Sequence, residues 1–146
     1  MNLSKNVQID QVLGYFAAGT TKRVSAILDM AGYDGVIFIA NLGTLIEAGT
    51  VDVYVEQNII NSVTGMARLA GQAVHTVTAA DAALTYSAIV VDIANVVEQY
   101  VQCNITPAAQ NAVILGCVAI RYSGRVKPPA NAAILRSTLL NGPAEA

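Results

Sequence analysis

Charge is the scarcest ingredient of this chain. Asp, Glu, Lys and Arg supply only 12% of its 146 residues, about half the ~25% usual in soluble domains. Apolar residues nevertheless reach 54%, which excludes disorder for most of the sequence. Long hydrophobic runs are also missing. The longest, such as Ala112 to Ile120, fall well short of the ~20 residues a membrane-spanning helix needs, so no bilayer contact is expected. A basic field is lacking too. With a net charge of -2, a pI near 5.1 and eight scattered Lys and Arg, the chain has no means to neutralise phosphates, and nucleic acid is not expected as a partner.

The residues that carry chemistry are just as sparse. His75 is the only histidine and lies in an alternating run, which suits a structural side chain better than a general base. Cys103 and Cys117 have no CxxC spacing, and one His with two distant Cys does not make a zinc set, so no metal is expected. Neither Cys has a visible base to activate it. The start MNLSKNVQID has no secretory pattern, which points to an intracellular origin with both thiols buried and free. Asp52 and Glu56 share a strand face but stand roughly 13 Å apart along an extended chain, too far for acid–base cooperation. The glycines of Gly32-Tyr33-Asp34-Gly35 and of Gly65 to Gly71 match neither phosphate-binding fingerprint and are read as turns. No catalytic residue and no cofactor site is expected.

What the sequence does have is a rhythm of short Val, Ile, Thr and Tyr runs between Gly, Asn and Asp punctuation, which favours strands. Thr21 to Leu28, Val36 to Leu42, Val51 to Glu56, Ala73 to Thr78, Ala88 to Ile93, Tyr100 to Ile105 and Ala112 to Tyr122 are the candidates. Val51-Asp52-Val53-Tyr54-Val55-Glu56 alternates most cleanly, while the unbroken apolar run Val36 to Leu42 suggests a central strand buried on both faces. Asn58 to Ala70 reads as loop or short helix, and Ala94 to Glu98 as a turn. The expected fold is mainly β, a β-sandwich or jelly-roll-like domain of about seven or eight strands. Residues 1–20 would precede it as an N-terminal segment, 21–122 would form the sandwich, and 123–146 would be a C-terminal arm. Pro128-Pro129 cannot enter a sheet interior, which sets the arm apart from the sandwich.

A folded monomer of this size exposes roughly 7,000 Å² by surface scaling, and eighteen formal charges, eight basic and ten acidic, must solvate it. Part of that uncharged surface is expected to meet another protein. Two features mark where. Arg121, Arg125 and Lys127 form the densest basic group, at the end of the last strand, suited to a solvated edge or an acidic partner. Beyond Pro128 and Pro129, the apolar cluster Ile134, Leu135, Leu139 and Leu140 would be costly to leave in water, and so reads as a docking arm or as a helix folded back on its own domain.

Several motifs occur together: YDGVIFIANLG, LAGQAVHTVTAAD, a VDI strand leading to QYVQC, and QNAVILGCVAIRYSGRVKPP. Taken together, Lys22 to Pro129 resembles a family of small virion proteins of tailed bacteriophages and prophages. Its final segment is an asparagine-led apolar strand ending in Tyr, Gly and a basic residue before proline, matched here by Asn111, Tyr122, Gly124, Arg125, Lys127 and Pro128. Where such proteins carry a proline-containing basic linker, this chain has Ala94-Asn95-Val96-Val97-Glu98-Gln99. The resemblance implies a capsid decoration, or cement, protein. Such a β-sandwich, made in the host cytoplasm, binds the outside of the virion head, partners the major capsid protein and itself as a homotrimer, and clamps neighbouring capsomers. Two other readings stay open. One is a head-completion or tail-tube ring protein at the portal axis. The other is a surface-displayed ligand- or glycan-binding β-sandwich, which would want an aromatic platform in a chain with two Phe, six Tyr and no Trp.

Overall fold

A computed structural model describes residues 2–71, 73–124 and 134–135. Among these residues a short 3-10 turn, Leu3–Lys5, precedes eleven strands: β1 (Gln8–Leu13), β2 (Phe16–Gly19), β3 (Arg23–Val24), β4 (Leu28–Asp29), β5 (Gly35–Leu45), β6 (Thr50–Asn58), β7 (Ala67–Arg68), β8 (Ala73–Thr76), β9 (Ser87–Ala94), β10 (Tyr100–Ala108) and β11 (Ala112–Tyr122). One short helix, α1 (Ala79–Ala82), sits between β8 and β9. All strand pairings are antiparallel.

The eleven strands fill eight positions. β1 and β2 share one edge of β11, β3 and β4 one edge of β10, and β7 and β8 one edge of β6. The first sheet runs β1/β2, β11, β5, β9, and the second β3/β4, β10, β6, β7/β8. Two four-position sheets joined by crossovers in this order make a jelly roll. The expected β-sandwich is therefore the fold. Its span differs from the expectation, because residues 8–19, placed ahead of the sandwich in the N-terminal segment 1–20, form one of its edges. Gln8 pairs with Arg121 and Phe16 with Ile114. The alternation of β1 is weak in sequence, but β11 needs a backbone partner on that side.

Alternation sets which side chains meet between the sheets. Val36, Phe38, Ala40, Cys117 and Ala119 of the first sheet pack with Val51, Val53, Val55, Val101, Cys103 and Ile105 of the second, all at or below 1% exposure except Val55 at 2%. Where an edge breaks, a local hydrogen bond takes over from the ladder. Between β3 and β4 the Ser25 hydroxyl accepts from the Cys103 N–H at 2.9 Å while the Ser25 N–H donates to the Cys103 carbonyl at 2.8 Å. The segment expected as loop or short helix is a loop that holds β7. Asn58 organises it by donating to the carbonyls of Ser62 and Thr64 at 2.9 and 3.0 Å. The break between β1 and β2 faces an irregularity in β11, where Gly116 has φ +150° and a Cβ there would stand 2.9 Å from the Leu13 carbonyl oxygen.

That close approach yields a test. Gly116→Val is expected to cost about 2–3 kcal/mol through backbone strain and collision and to lower Tm by several degrees. Gly14→Ala, where a Cβ meets nothing within 4 Å, should stay within about 0.5 kcal/mol of the parent. Thermal unfolding followed by far-UV circular dichroism distinguishes them, and equal Tm values would refute the close approach at Gly116.

Candidate interaction surfaces

The outer faces of the two sheets differ sharply in chemistry. On the first sheet, register places Ile9, Ile120, Ile37 and Asp92 in one row across β1, β11, β5 and β9. Gln11, Val118, Ile39 and Val90 form the next row. These residues point away from the core, yet they are mostly aliphatic. Val90 is 55% exposed and the neighbouring Leu115 44%. No Lys or Arg occupies these rows, and Asp92 is their sole ionisable group. The unbroken apolar run in β5 was expected to mean burial on both faces. In the structure Phe38 and Ala40 are fully buried, whereas Ile37 and Ile39 lie on the outer face and are only half-buried.

The charge of Asp92 is itself tied down. The Tyr122 hydroxyl donates to Asp92 Oδ1 at 2.8 Å, reaching from β11 across β5 to β9. Gly35 makes that reach possible, since a Cβ there would fall 2.2 Å from the Tyr122 ring. Burial, then the hydrogen bond to the Asp92 carboxylate, pushes the Tyr122 phenol up to about 12. Two shallow depressions flank the face. One of about 540 Å³ lies by Leu3, Val7, Ile37 and Ile120, and one of about 590 Å³ by Gln11, Tyr86, Leu115 and Val118.

The second sheet presents a polar outer face. Asp52, Tyr54 and Glu56 of β6 stand opposite Thr106, Asn104 and Gln102 of β10. Glu56 Oε2 accepts from Gln102 Nε2 at 2.8 Å and from Asn104 Nδ2 at 3.0 Å. Arg68 donates to Asp52 Oδ2 at 3.0 Å, and its guanidinium lies 3.7 Å from the centroid of the Tyr54 ring. Lys22 approaches the same ring at 5.4 Å, and a hydrogen bond with Tyr54 holds its ammonium above its ordinary value. Two acids and two bases thus answer one another within the face. Tyr54 is buried beneath these cations, so it is no open platform for stacking a sugar.

His75 Nε2 and Asp81 Oδ2 lie within hydrogen-bond distance, at 2.9 Å, beside a cleft of about 370 Å³ that Ser87 also lines. Asp81 is chiefly a helix cap. The Thr78 N–H and hydroxyl donate to its carboxylate, and they, with His75 after them, hold it down to about 2. The hydroxyl of Ser87 makes no hydrogen bond to His75. Cys103 and Cys117 are free and buried. They face each other from opposite sheets, and the neighbouring Cys117 thiol together with burial pushes the Cys103 thiol up. Among the described residues no group of three or more His, Cys, Asp or Glu is placed to hold a metal.

The residues singled out at the end of the chain fare differently. Arg121 serves inside the fold, its Nε donating to Asp10 Oδ2 at 3.0 Å, Nη1 donating to the Asp29 carbonyl, and its guanidinium 4.8 Å from the Tyr33 ring. This half-buried side chain ties β1, β4 and β11 together and is no free basic group for an acidic partner. Ile134 is half-buried and Leu135 fully exposed at 102%. Arg125, Lys127, Pro128, Pro129, Leu139 and Leu140 lie outside the described residues. The aliphatic rows of the first sheet were missed by the sequence reading. Their signal was present in VIFIA and SAIVVDIA, runs too apolar for strands with one wet face.

No family model matches this chain, and no curated protein matches it. Among solved structures, dimeric latent PorU from Porphyromonas gingivalis is similar, with a TM-score of 0.46 and 10% identity. The similarity covers 81% of this chain and spans 13% of that one. The jelly roll described above stands on strand order alone.

The Tyr122 link predicts a pH dependence. Its folded value lies above the ordinary 10.0, so its contribution to stability is complete below pH 10 and is lost as pH rises through about 12. Between those limits the Tm of the parent chain is expected to fall more steeply than that of Tyr122→Phe. Parallel curves would show that the hydroxyl is not coupled to folding.

Proposed function

We propose that this protein is a structural component of a phage virion, a decoration protein that binds the outer surface of the capsid and stabilises the shell by clamping neighbouring capsomers. The observation that carries the reading is the outer face of the first sheet, four strand positions wide, largely aliphatic, without a basic residue in its paired rows and with its one acid held by Tyr122. A surface of this kind suits broad, lasting protein contact better than transient charge-steered encounter. The jelly roll supports the reading as a rigid frame for such a face. The resemblance of Lys22 to Pro129 to small virion proteins supports the setting, the capsid exterior, and the partners, the major capsid protein and further copies of this chain in a homotrimer.

The mechanism is mechanical. Packaged genome presses the shell outward, and a protein spanning adjacent capsomers adds interface that must break before they separate. Binding to the mature lattice alone stabilises that lattice by mass action, and many identical sites make the effect collective. No bond is made or broken, so no catalytic group or cofactor is required.

Particles stripped of this protein should release genome at lower temperature than complete particles, and adding the purified protein back should restore the original release curve. Val118→Lys, which puts a charge in the middle of the aliphatic rows, should preserve the unfolding transition and weaken shell binding about tenfold or more. Unchanged release on stripping would refute the clamp. Copy number separates the ring reading. Gel densitometry against the major capsid protein should give hundreds of copies per particle, and a single ring's complement at the portal would overturn decoration.

A further inference from the structure

A two-sheet sandwich has four edges, and an intact edge strand offers a row of backbone groups for pairing with another chain. Three of the four are broken here. One is split into β1 and β2 and carries a further register shift within β1 between Gln11 and Leu13, one is split into the two-residue β3 and β4, and one into the short β7 and β8. The fourth, β9, is unlike them. It runs eight residues, Ser87–Ala94, in uninterrupted register with β5 and contains no Lys, Arg, Pro or Gly. Beside three broken edges, one long, continuous and nearly uncharged edge is the one suited to pairing with a further strand.

A groove of about 670 Å³ follows the same edge, with Val55, Leu69 and Ala73 on one side and Val91, Ile93 and Val96 on the other. An added strand would therefore find a backbone ladder together with apolar space for its inward side chains. The chain's own C-terminal sequence has the matching chemistry. Ala132-Ala133-Ile134-Leu135-Arg136-Ser137-Thr138-Leu139 carries one charge, Arg136, while β9 carries one, Asp92. If the segment is laid antiparallel with Arg136 opposite Asp92, Leu135 faces Ile93 in the groove and Leu139 faces Ile89 on the same, inward face of β9. Ile134 then meets Ala94, and Thr138 meets Val90, on the outer side. β11 ends at Tyr122, two strand positions from Ala94, so the arm leaves at the end of β9 from which an antiparallel strand would start.

We propose that the edge of β9, unpaired among the described residues, receives residues 134–139 of a neighbouring copy as an added antiparallel strand. A neighbouring copy is favoured over the same chain because Leu135 stands fully exposed in the single chain and because the Pro128-Pro129 pair restricts the linker that would have to fold back. Arms passed head to tail close into a ring, and main-chain bonding supplies the affinity, as in other strand-addition complexes.

The test compares the full chain with one truncated after Gly124, which keeps every described strand of the sandwich. Light scattering should show an oligomer for the full chain and a monomer for the truncation, with the same far-UV spectrum from the strands. Amide exchange at the outward-facing N–H groups of β9 should accelerate about tenfold or more on truncation. Arg136→Asp should weaken association, and Asp92→Arg in the same chain should restore it. A monomeric full chain, with or without protected β9 amides, would overturn the exchange between copies. An oligomer that survives truncation, or one lost without any change at β9, would overturn the assignment of the edge. Shell binding does not enter this experiment, so the decoration reading can fail while arm exchange holds.

Discussion

Phe38, Ala40, Cys117 and Ala119, on adjacent central strands of one sheet, pack against Val53, Val55, Cys103 and Ile105, on adjacent central strands of the other, and that interlayer contact fixes the rest of the molecule. Because side chains alternate strictly across a strand, seating these residues inward determines what every neighbouring residue presents outward. Ile37, Ile39, Val118 and Ile120 are outward by necessity once their neighbours are inward. A slip of one residue would put these aliphatic side chains into the core and leave Phe38, the largest fully buried side chain, in water.

The same constraint gives the two outer faces opposite characters. In β6 the inward set is Val51, Val53 and Val55, and the outward set Asp52, Tyr54 and Glu56 answers its own charges through Arg68, Lys22, Gln102 and Asn104. In β5, β9 and β11 both sets are apolar, so the first sheet has a second hydrophobic side. Water covers a polar face at little cost, but covering an aliphatic one carries a penalty proportional to area, near 25 cal/mol per Å². The interaction reading rests on that difference, and the unbroken edge of β9 borders the same face.

Legibility followed the length scale of the signal. The strand Val51 to Glu56 was plain because its alternation is local, and β5 was placed centrally because an unbroken apolar run needs neighbours on both sides. β1 and β2 were not legible as strands. Their hydrogen bonds go to β11, about a hundred residues away, and nothing within residues 8–19 announces that partner. Arg121 illustrates the limit for site residues. Its chemistry suggested an exposed base, but Asp10, Asp29 and Tyr33, all distant in sequence, converge on it in the folded chain.

The sequence by itself determined that this is a β protein with little charge to spread over its surface. Composition and period-two alternation are properties of the chain, and they survive whatever partners the strands choose. Only the tertiary structure decided which apolar residues face the core and which form the outer rows of the first sheet, which charges are held within the fold, and which of four edges is intact. Those are questions of pairing between distant segments, settled by register and packing rather than by neighbours along the chain.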